Sequence, residues 1–505
     1  LRETQNAPPK VGQRASFSSE ADTRQDNEDA NLSKAHQEDI SSDAQSRLGV
    51  TLRSFQSVDI VRMRRQYGAG ASRLCYCLPT GAGKTVVFVF VVASATKRGK
   101  RVLILGHRQE ICDQISTALT GMGVSHGIIA PGYPATIWPV QVASVATIAR
   151  RLNPADQPFD LIVIDECHHA TASSWRTILA AYPEAKILGV TATPVRLDGK
   201  GLDDIFDQMI VGPDVANLTE NHYLVPAVVF TPVRLPNLSH IRTRAGDYAL
   251  DQLSAKMSER SLIDRAVKDY KERCAGVPAV AFGVDRGHSE KIAQAFREAG
   301  FRSAHVDGET SRDERKRMIA ALGTGELDVL ANCGLISEGV DVPAIGAAIL
   351  LRPTQSLALC LQQIGRALRP APGKTCAIIL DHAGNCLRHG LPDTPRQWTL
   401  KASKSKIKER HDLRRCEACG AVNRPAPFCS NCGCPPKPAS PGYLDLWLEL
   451  TSTPGLAAEL RAMTYAQVVA WADTPARARI AEMVRGFKRG WAWHRARDLE
   501  EGGAA

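Results

Sequence analysis

Leu78-Pro79-Thr80-Gly81-Ala82-Gly83-Lys84-Thr85 is the stretch that decides the fold. It follows a short β-rich run, Arg73–Leu78, and opens an apolar stretch of helical length, so it reads as a strand-to-helix turn. Gly81 and Gly83 let backbone N–H groups close around phosphate oxygens, with Thr80 and Ala82 completing the loop. Lys84 brings a cation to the β- and γ-phosphates, Thr85 offers a hydroxyl to Mg²⁺, and the helix N-terminus adds its dipole. The general pattern G-x-x-x-x-G-K-[ST] is departed from once: its first glycine is Leu78 here.

Outward from the loop, short apolar runs alternate with amphipathic segments. Arg73–Leu78, Val102–Leu105, Leu161–Ile164 and Ile187–Val190 are expected strands of one parallel sheet covered on both faces. The pattern fades between about residues 212 and 260. It restarts with Ala279–Gly283, Ser303–Val306, Asp328–Ala331, Ala347–Leu351 and Cys376–Leu380, which predict a second α/β domain of similar size. Asp165-Glu166-Cys167-His168 ends the third run of the first set. A carboxylate there can hold Mg²⁺ opposite Thr85, assigned to Asp165, while its neighbour Glu166 can orient and deprotonate an attacking water. Gln362-Gln-Ile-Gly-Arg-Ala-Leu-Arg369 puts Arg366 and Arg369 three apart, expected on one face of a helix, where two guanidinium groups could reach a γ-phosphate held by the other domain.

Composition fits such a body. The chain has 505 residues, enough for two to four domains. At 44% hydrophobic and 23% charged residues it is of ordinary globular make-up, which excludes wholesale disorder. The formal charge of +10 suits a polyanionic partner such as nucleic acid. Residues 1–47 are poor in apolar side chains and read as a disordered tail. The longest apolar run, Val86–Ala95, is far short of the roughly 20 residues of a membrane span, and no secretory segment opens the chain. No membrane partner and a cytoplasmic location are expected.

Together these elements resemble the motor of helicase superfamily 2, over roughly Leu52 to Asn385. Other stretches fall in that family's order: Leu52-Arg-Ser-Phe-Gln56, His107-Arg-Gln-Glu-Ile111, Ser144-Val-Ala-Thr147, Thr191-Ala-Thr193 and Ser337-Glu-Gly-Val-Asp341. The resemblance implies two tandem RecA-like domains, 48–215 and 216–398, with ATP and Mg²⁺ in the cleft between them. It further implies that Gln56 reads the adenine and that Gly339 and Asp341 lie near the nucleotide. His107–Ile111 and Ser144–Thr147 would touch the nucleic-acid strand, and Thr191-Ala-Thr193 would link hydrolysis to its binding. Asp-Glu-Cys-His leans toward DNA over RNA by family association. Within the superfamily the chain looks most like RadD-like bacterial DNA-repair helicases and their phage relatives. The stretches carrying that likeness are Leu78–Thr85, Asp165–His168, Thr191–Arg196, Leu351–Thr354, Ala371–Thr375 and Asp381–Asn385.

Fourteen cysteines are unevenly placed, with five crowded between Cys416 and Cys434. Cys416-x-x-Cys419 and Cys429-x-x-Cys432, each followed by glycine, can close a tetrahedron of thiolates around Zn²⁺, a structural site with no open position. Cys434 is not an expected ligand, and a redox-active dithiol pair is the rival reading. Residues 399–440 are thus a basic linker and zinc ribbon, and 441–505 a helical tail able to dock a repair or replication protein. There Gly486-Phe-Lys-Arg-Gly-Trp-Ala-Trp493 could stack on bases or pack a core. The alternatives to a DNA helicase are an RNA helicase, a double-strand translocase of restriction type, and a zinc-ribbon adaptor with a vestigial motor.

Overall fold

A computed structural model describes residues 51–152, 158–170, 172–196, 199–244, 246–334, 342–401, 411–435, 456–473, 475–485 and 495. The expected N-terminal tail, Gly339 and Asp341, most of the basic run before the cysteines, and Gly486–Trp493 lie outside the described residues. The chain divides into two compact units, one up to Leu413 and one from Arg414.

The first unit holds two parallel sheets. The first sheet comprises β1 (Arg73–Cys77), β2 (Val102–Gly106), β3 (Gly127–Ile129), β4 (Val140–Ser144), β5 (Leu161–Asp165), β6 (Lys186–Thr191) and β7 (Gln208–Val211). Their spatial order is β3-β4-β2-β5-β6-β1-β7. The second sheet uses β8 (Ala227–Phe230), then, past a separate two-stranded hairpin of β9 (Thr243–Arg244) and β10 (Asp247–Tyr248), β11 (Ala279–Phe282), β12 (Ser303–Val306), β13 (Val329–Asn332), β14 (Ala347–Leu350) and β15 (Ala377–Asp381). Its order is β12-β13-β11-β14-β15-β8. All nine expected strands are present, and β8 is a strand of the second sheet lying where the sequence pattern fades. Strands such as Val102-Leu-Ile-Leu-Gly106 are buried at every position, because helices cover both faces.

The helices of this unit that matter for the site are α1 (Ser54–Gly68), α2 (Lys84–Lys97), α3 (Gln109–Gly121), α4 (Val145–Ile148) and α5 (Ser173–Ala181) in the first domain. In the second they are α6 (Val215–Glu220), α7 (Leu250–Met257), α8 (Arg260–Cys274), α9 (Arg286–Glu298), α10 (Arg312–Thr324), α11 (Leu357–Gly365) and α12 (Asn385–His389). Helix α2 carries Val86, Val87, Val89, Val91 and Val92, side chains that favour strands. It is helical because the phosphate loop feeds it and because it lies in the interior, where an all-round apolar helix is stable. After β15 the chain returns to the first domain, where Leu202 N–H donates to Leu400 O at 2.6 Å.

The second unit begins with a small hairpin, β16 (Arg414–Arg415) against β17 (Val422–Asn423), followed by α13 (Leu456–Ala462), α14 (Tyr465–Trp471) and α15 (Pro475–Arg485). A reciprocal Thr464–Gln467 capping box starts α14. Val468, Ala472, Ala478 and Ala481 form a local core with Trp471 against it. Among the described residues, no helix is long and apolar enough to cross a membrane.

Candidate nucleotide cleft and cysteine cluster

The spatial order β5-β6-β1 decides which side chains meet. Register pairs Cys77 with Thr191, and Asp165 with Val190. The phosphate loop, Thr191 and Asp165 therefore leave the same carboxyl edge side by side, where open α/β sheets hold ligands. Gly81 and Gly83 have φ of 87° and 93°, a region that glycine enters without steric cost. A Cβ on Gly83 would also sit 2.7 Å from Gln56 Nε2. Lys84 opens α2, and its Nζ donates to Leu78 O at 3.3 Å. Gln56, only 2% exposed, is turned onto the loop: its Nε2 donates to Ala82 O (3.3 Å) and Gly83 O (3.4 Å). Its Oε1 accepts from Arg53 N–H at 3.0 Å.

Glu166 is strained. It holds φ 49°, ψ 54°, a left-handed conformation uncommon for a residue with a side chain, and such outliers cluster at functional sites. Its N–H donates to Asp165 Oδ1 at 3.0 Å, and its Oε2 lies 3.4 Å from His168 Nδ1. His168 Nδ1 is 3.0 Å from Thr191 Oγ1. That hydroxyl donates to Thr193 O and accepts from Thr193 N–H, each at 3.1 Å. The Thr191 hydroxyl thus joins His168 to the backbone of Thr193. Thr191, from the expected coupling motif, thereby touches a histidine whose ring stands beside the candidate base. From sequence His168 is expected to couple the two domains; its contact with Thr191 depends on β5 and β6 being neighbours.

Helix α11 brings the second domain to the loop. A Cβ on Gly365 would lie 2.6 Å from Thr80 Cβ, and one on Gly81 would lie 3.1 Å from Arg369 Cγ. Val225 N–H donates to Leu368 O at 2.9 Å. The expectation of both arginines on one helical face is corrected here. Helix α11 ends at Gly365, Arg366 is its buried C-cap, and Arg369 lies beyond it. The last turn tightens to i→i−3 bonds, Arg366 N–H to Gln363 O and Ala367 N–H to Ile364 O, and Pro370 then keeps Arg369 out of the helical region.

Several buried polar atoms in this neighbourhood have no hydrogen-bond partner among the described residues: Thr80 Oγ1, Glu166 Oε2, Thr193 Oγ1, Gln362 Nε2 and Gln363 Oε1. Buried polar groups are nearly always satisfied, so such a group of exceptions marks a place built for a polar ligand. A nucleoside triphosphate and a hard cation fit this donor and acceptor set. Burial holds the neighbouring Cys77 and Cys167 thiols well above their ordinary pKa, so neither acts as a nucleophile here.

In the second unit, Cys416, Cys419, Cys429 and Cys432 offer Sγ atoms that all lie within 4.8 Å of one another. Sγ–Sγ is 3.7 Å for Cys416–Cys432 and 3.7 Å for Cys419–Cys429. A tetrahedron with Zn–S of about 2.3 Å has edges of about 3.8 Å. Each knuckle closes alike: Gly420 N–H donates to Cys416 O and Gly433 N–H to Cys429 O, both at 2.9 Å. Gly420 and Gly433 take positive φ, 80° and 71°. Asn423 Nδ2 donates to Cys429 Sγ at 3.3 Å, a bond that stabilises a thiolate. Hydrogen bonds from the backbone and neighbouring side chains outweigh burial and lower the Cys429 pKa to about 6. The donor set fits zinc.

A phosphate loop, an acidic strand end and an arginine-bearing helix end, shared between two parallel sheets, define a two-domain ATP-hydrolysing motor. Residues 49–196 match the family described as "Type III restriction enzyme, res subunit", and residues 277–371 match "Helicase conserved C-terminal domain". A 51.5 kDa protein of a Lactococcus phage is 36% identical over 63% of this chain and 68% of its own length. IRC3 of Saccharomyces cerevisiae, named as an ATP-dependent helicase, is 32% identical over 66% of this chain, which spans 51% of that protein. A fragment described as the HsdR subunit of a type I restriction enzyme from Vibrio vulnificus shares the fold, with TM-score 0.54 and 22% identity over 70% of this chain and 69% of that one. The chain belongs to helicase superfamily 2, a class of nucleic-acid-dependent ATPases that use ATP and Mg²⁺. The narrower RadD likeness rests on the motif resemblance alone.

Proposed function

We propose that the protein is a DNA motor that couples ATP hydrolysis in its two-domain cleft to movement along DNA, in repair or recombination. The observation that carries the motor is the seating of Gly365 against Thr80, which brings the arginine-bearing end of α11 onto the phosphate loop. The match of the first domain to a restriction-enzyme family supports DNA as the track.

In this reading the N–H groups of Thr80 to Thr85 and the Lys84 ammonium hold the phosphates, and Gln56, whose amide ties the loop to α1, would exchange one of those bonds for the adenine. Thr85 and Asp165 would hold Mg²⁺, which when bound neutralises phosphate charge. Glu166 takes the proton of the attacking water, with the His168 ring 3.4 Å from that carboxylate and 3.0 Å from the Thr191 hydroxyl, which links the acidic motif to β6. Arg366 and Arg369 stabilise charge on the transferred phosphoryl group. By the motif resemblance, Gly339 and Asp341 would also serve the nucleotide. Cys416, Cys419, Cys429 and Cys432 hold a structural Zn²⁺, and the tail beyond them docks a repair or replication protein.

The test is ATP turnover by purified protein with single-stranded, duplex or forked DNA, or RNA. Stimulation by DNA above RNA is expected, and Lys84→Ala should abolish turnover. Full activity in that variant would remove the loop from the mechanism, and stimulation by RNA alone would move the track to RNA. The restriction-family match also favours a second reading, a double-strand translocase. Displacement of a triplex without separation of a fork identifies it.

A further inference from the structure

The β9–β10 hairpin has no part in the cleft, yet it is held with unusual care. Asp247 accepts from Thr354 Oγ1 (2.8 Å), from Gln355 N–H (2.7 Å) and from Tyr248 N–H (2.9 Å). Gln355 Nε2 donates to Thr243 Oγ1 at 3.2 Å, and the Arg388 guanidinium lies 5.6 Å from the centre of the Tyr248 ring. These anchors fix the hairpin to the segment between β14 and α11, at the carboxyl edge of the second sheet. From that edge Gly334, just after β13, accepts from Arg108 Nη1 at 2.6 Å. Arg108 belongs to the first-domain stretch that resembles a strand-contacting motif. The hairpin thus sits on the edge that continues the expected track.

Beside it opens a cavity of about 840 Å³, lined by Arg242, Arg244, Arg352, Thr243, Tyr248 and Asp251 among others. Arg242 and Arg244 are exposed, and neither guanidinium has a hydrogen-bond or ion-pair partner among the described residues. Many other arginines of this domain are paired, including Arg260, Arg286, Arg302, Arg312 and Arg315. Arg352 is mostly buried at the cavity wall. It lies 3.8 Å from Asp247, and its Nε is buried without a hydrogen-bond partner. Helix α7 starts on the same wall with Ala249 as N-cap, which offers its free N–H groups no side-chain acceptor. Asp247 keeps its charge beside Arg352 while it holds the anchors, so Asp247 and Asp251 face three guanidiniums and the lining stays net positive, with Arg242 and Arg244 unpaired.

We infer that this pocket is a phosphodiester-binding station, at which Arg242 and Arg244 grip the backbone of the nucleic-acid strand as it crosses the second domain. The inference rests on the nucleic-acid motor reading. An exposed hairpin with two uncompensated arginines suits a chain of phosphates better than a small anion, because each guanidinium can take a successive phosphate while the strand passes through. Contacts of this kind position a strand without reading its sequence.

The experiment is the salt dependence of single-stranded DNA binding, followed by fluorescence anisotropy, for wild type, R242A/R244A and R242K/R244K. Loss of two phosphate contacts should weaken binding and flatten the slope of log K against log salt by roughly 1.4. The lysine pair keeps the charges and should restore most of that slope. A wild-type slope in R242A/R244A overturns the station and leaves the motor reading standing. A wild-type protein that binds no strand at any salt overturns the motor reading, and the station with it.

Discussion

Gly365 and Thr80 meet with no room for a side chain between them: a Cβ added to Gly365 would stand 2.6 Å from Thr80 Cβ and 2.8 Å from its Cγ2. One residue ends the helix of the second domain and the other lies in the phosphate loop of the first. The obstructing atoms are the fixed root of a side chain, not its flexible end. The two domains can approach this closely only because position 365 is glycine.

Gly365→Ala should therefore leave each domain folded and hold the cleft open by about an ångström. A misplacement of that size costs up to about 100-fold in rate. Stimulated ATP turnover should fall by one to two orders of magnitude while binding of a fluorescent ATP analogue persists. Turnover at the wild-type level in this variant would mean the contact is not part of the working cycle.

The strands that could be read from sequence are those buried on both faces, such as Leu161–Asp165 and Val102–Gly106. Those missed lack a continuous apolar run. β7 is an edge strand with Gln208 and Val211 exposed, and β4 carries Gln141, which is buried yet satisfied by Thr136 O at 3.1 Å and Trp138 O at 2.9 Å. The site divides in the same way. Lys84, Asp165 and Glu166 are adjacent in local motifs and could be found by spacing. The Thr191–His168 bond and the Gly365–Thr80 contact join segments far apart in sequence, so they follow only from strand order and domain docking. A three-residue spacing puts Arg366 and Arg369 on one face only if a helix runs through both, and α11 ends at Gly365.

The cysteine hairpin gives a second prediction. β16 and β17 are two residues each, too short to stand without a cross-link. One zinc per chain is expected by elemental analysis of the purified protein. Cys429→Ser should lose it and open the hairpin to proteolysis, whereas Cys434→Ser should keep it, since Cys434 contributes its carbonyl to Cys429 N–H at 2.8 Å and stands outside the four-sulfur cluster. A full zinc complement in Cys429→Ser, or none in wild type, would favour a dithiol pair instead.

The second domain should also be acid-sensitive. Burial pushes His288 and His389 down to about 4 and His382 to about 3, from an ordinary 6.5. Each is neutral in the folded chain and would be charged in the unfolded one below pH 6.5, so the unfolded state binds more protons. The stability that neutrality preserves is whole above pH 6.5 and is lost progressively as pH falls toward about 4, flattening below the folded values. At about 1.4 kcal/mol per pH unit, His288 alone costs roughly 3 kcal/mol across that window. His288 Nδ1 accepts from Val284 N–H at 3.1 Å, a bond an amide oxygen can take over. Denaturant unfolding between pH 7 and pH 4 should therefore show a steep loss in wild type and a shallower slope in His288→Asn, whatever that variant's absolute stability. Equal slopes would mean that His288 takes up its proton without opening the fold.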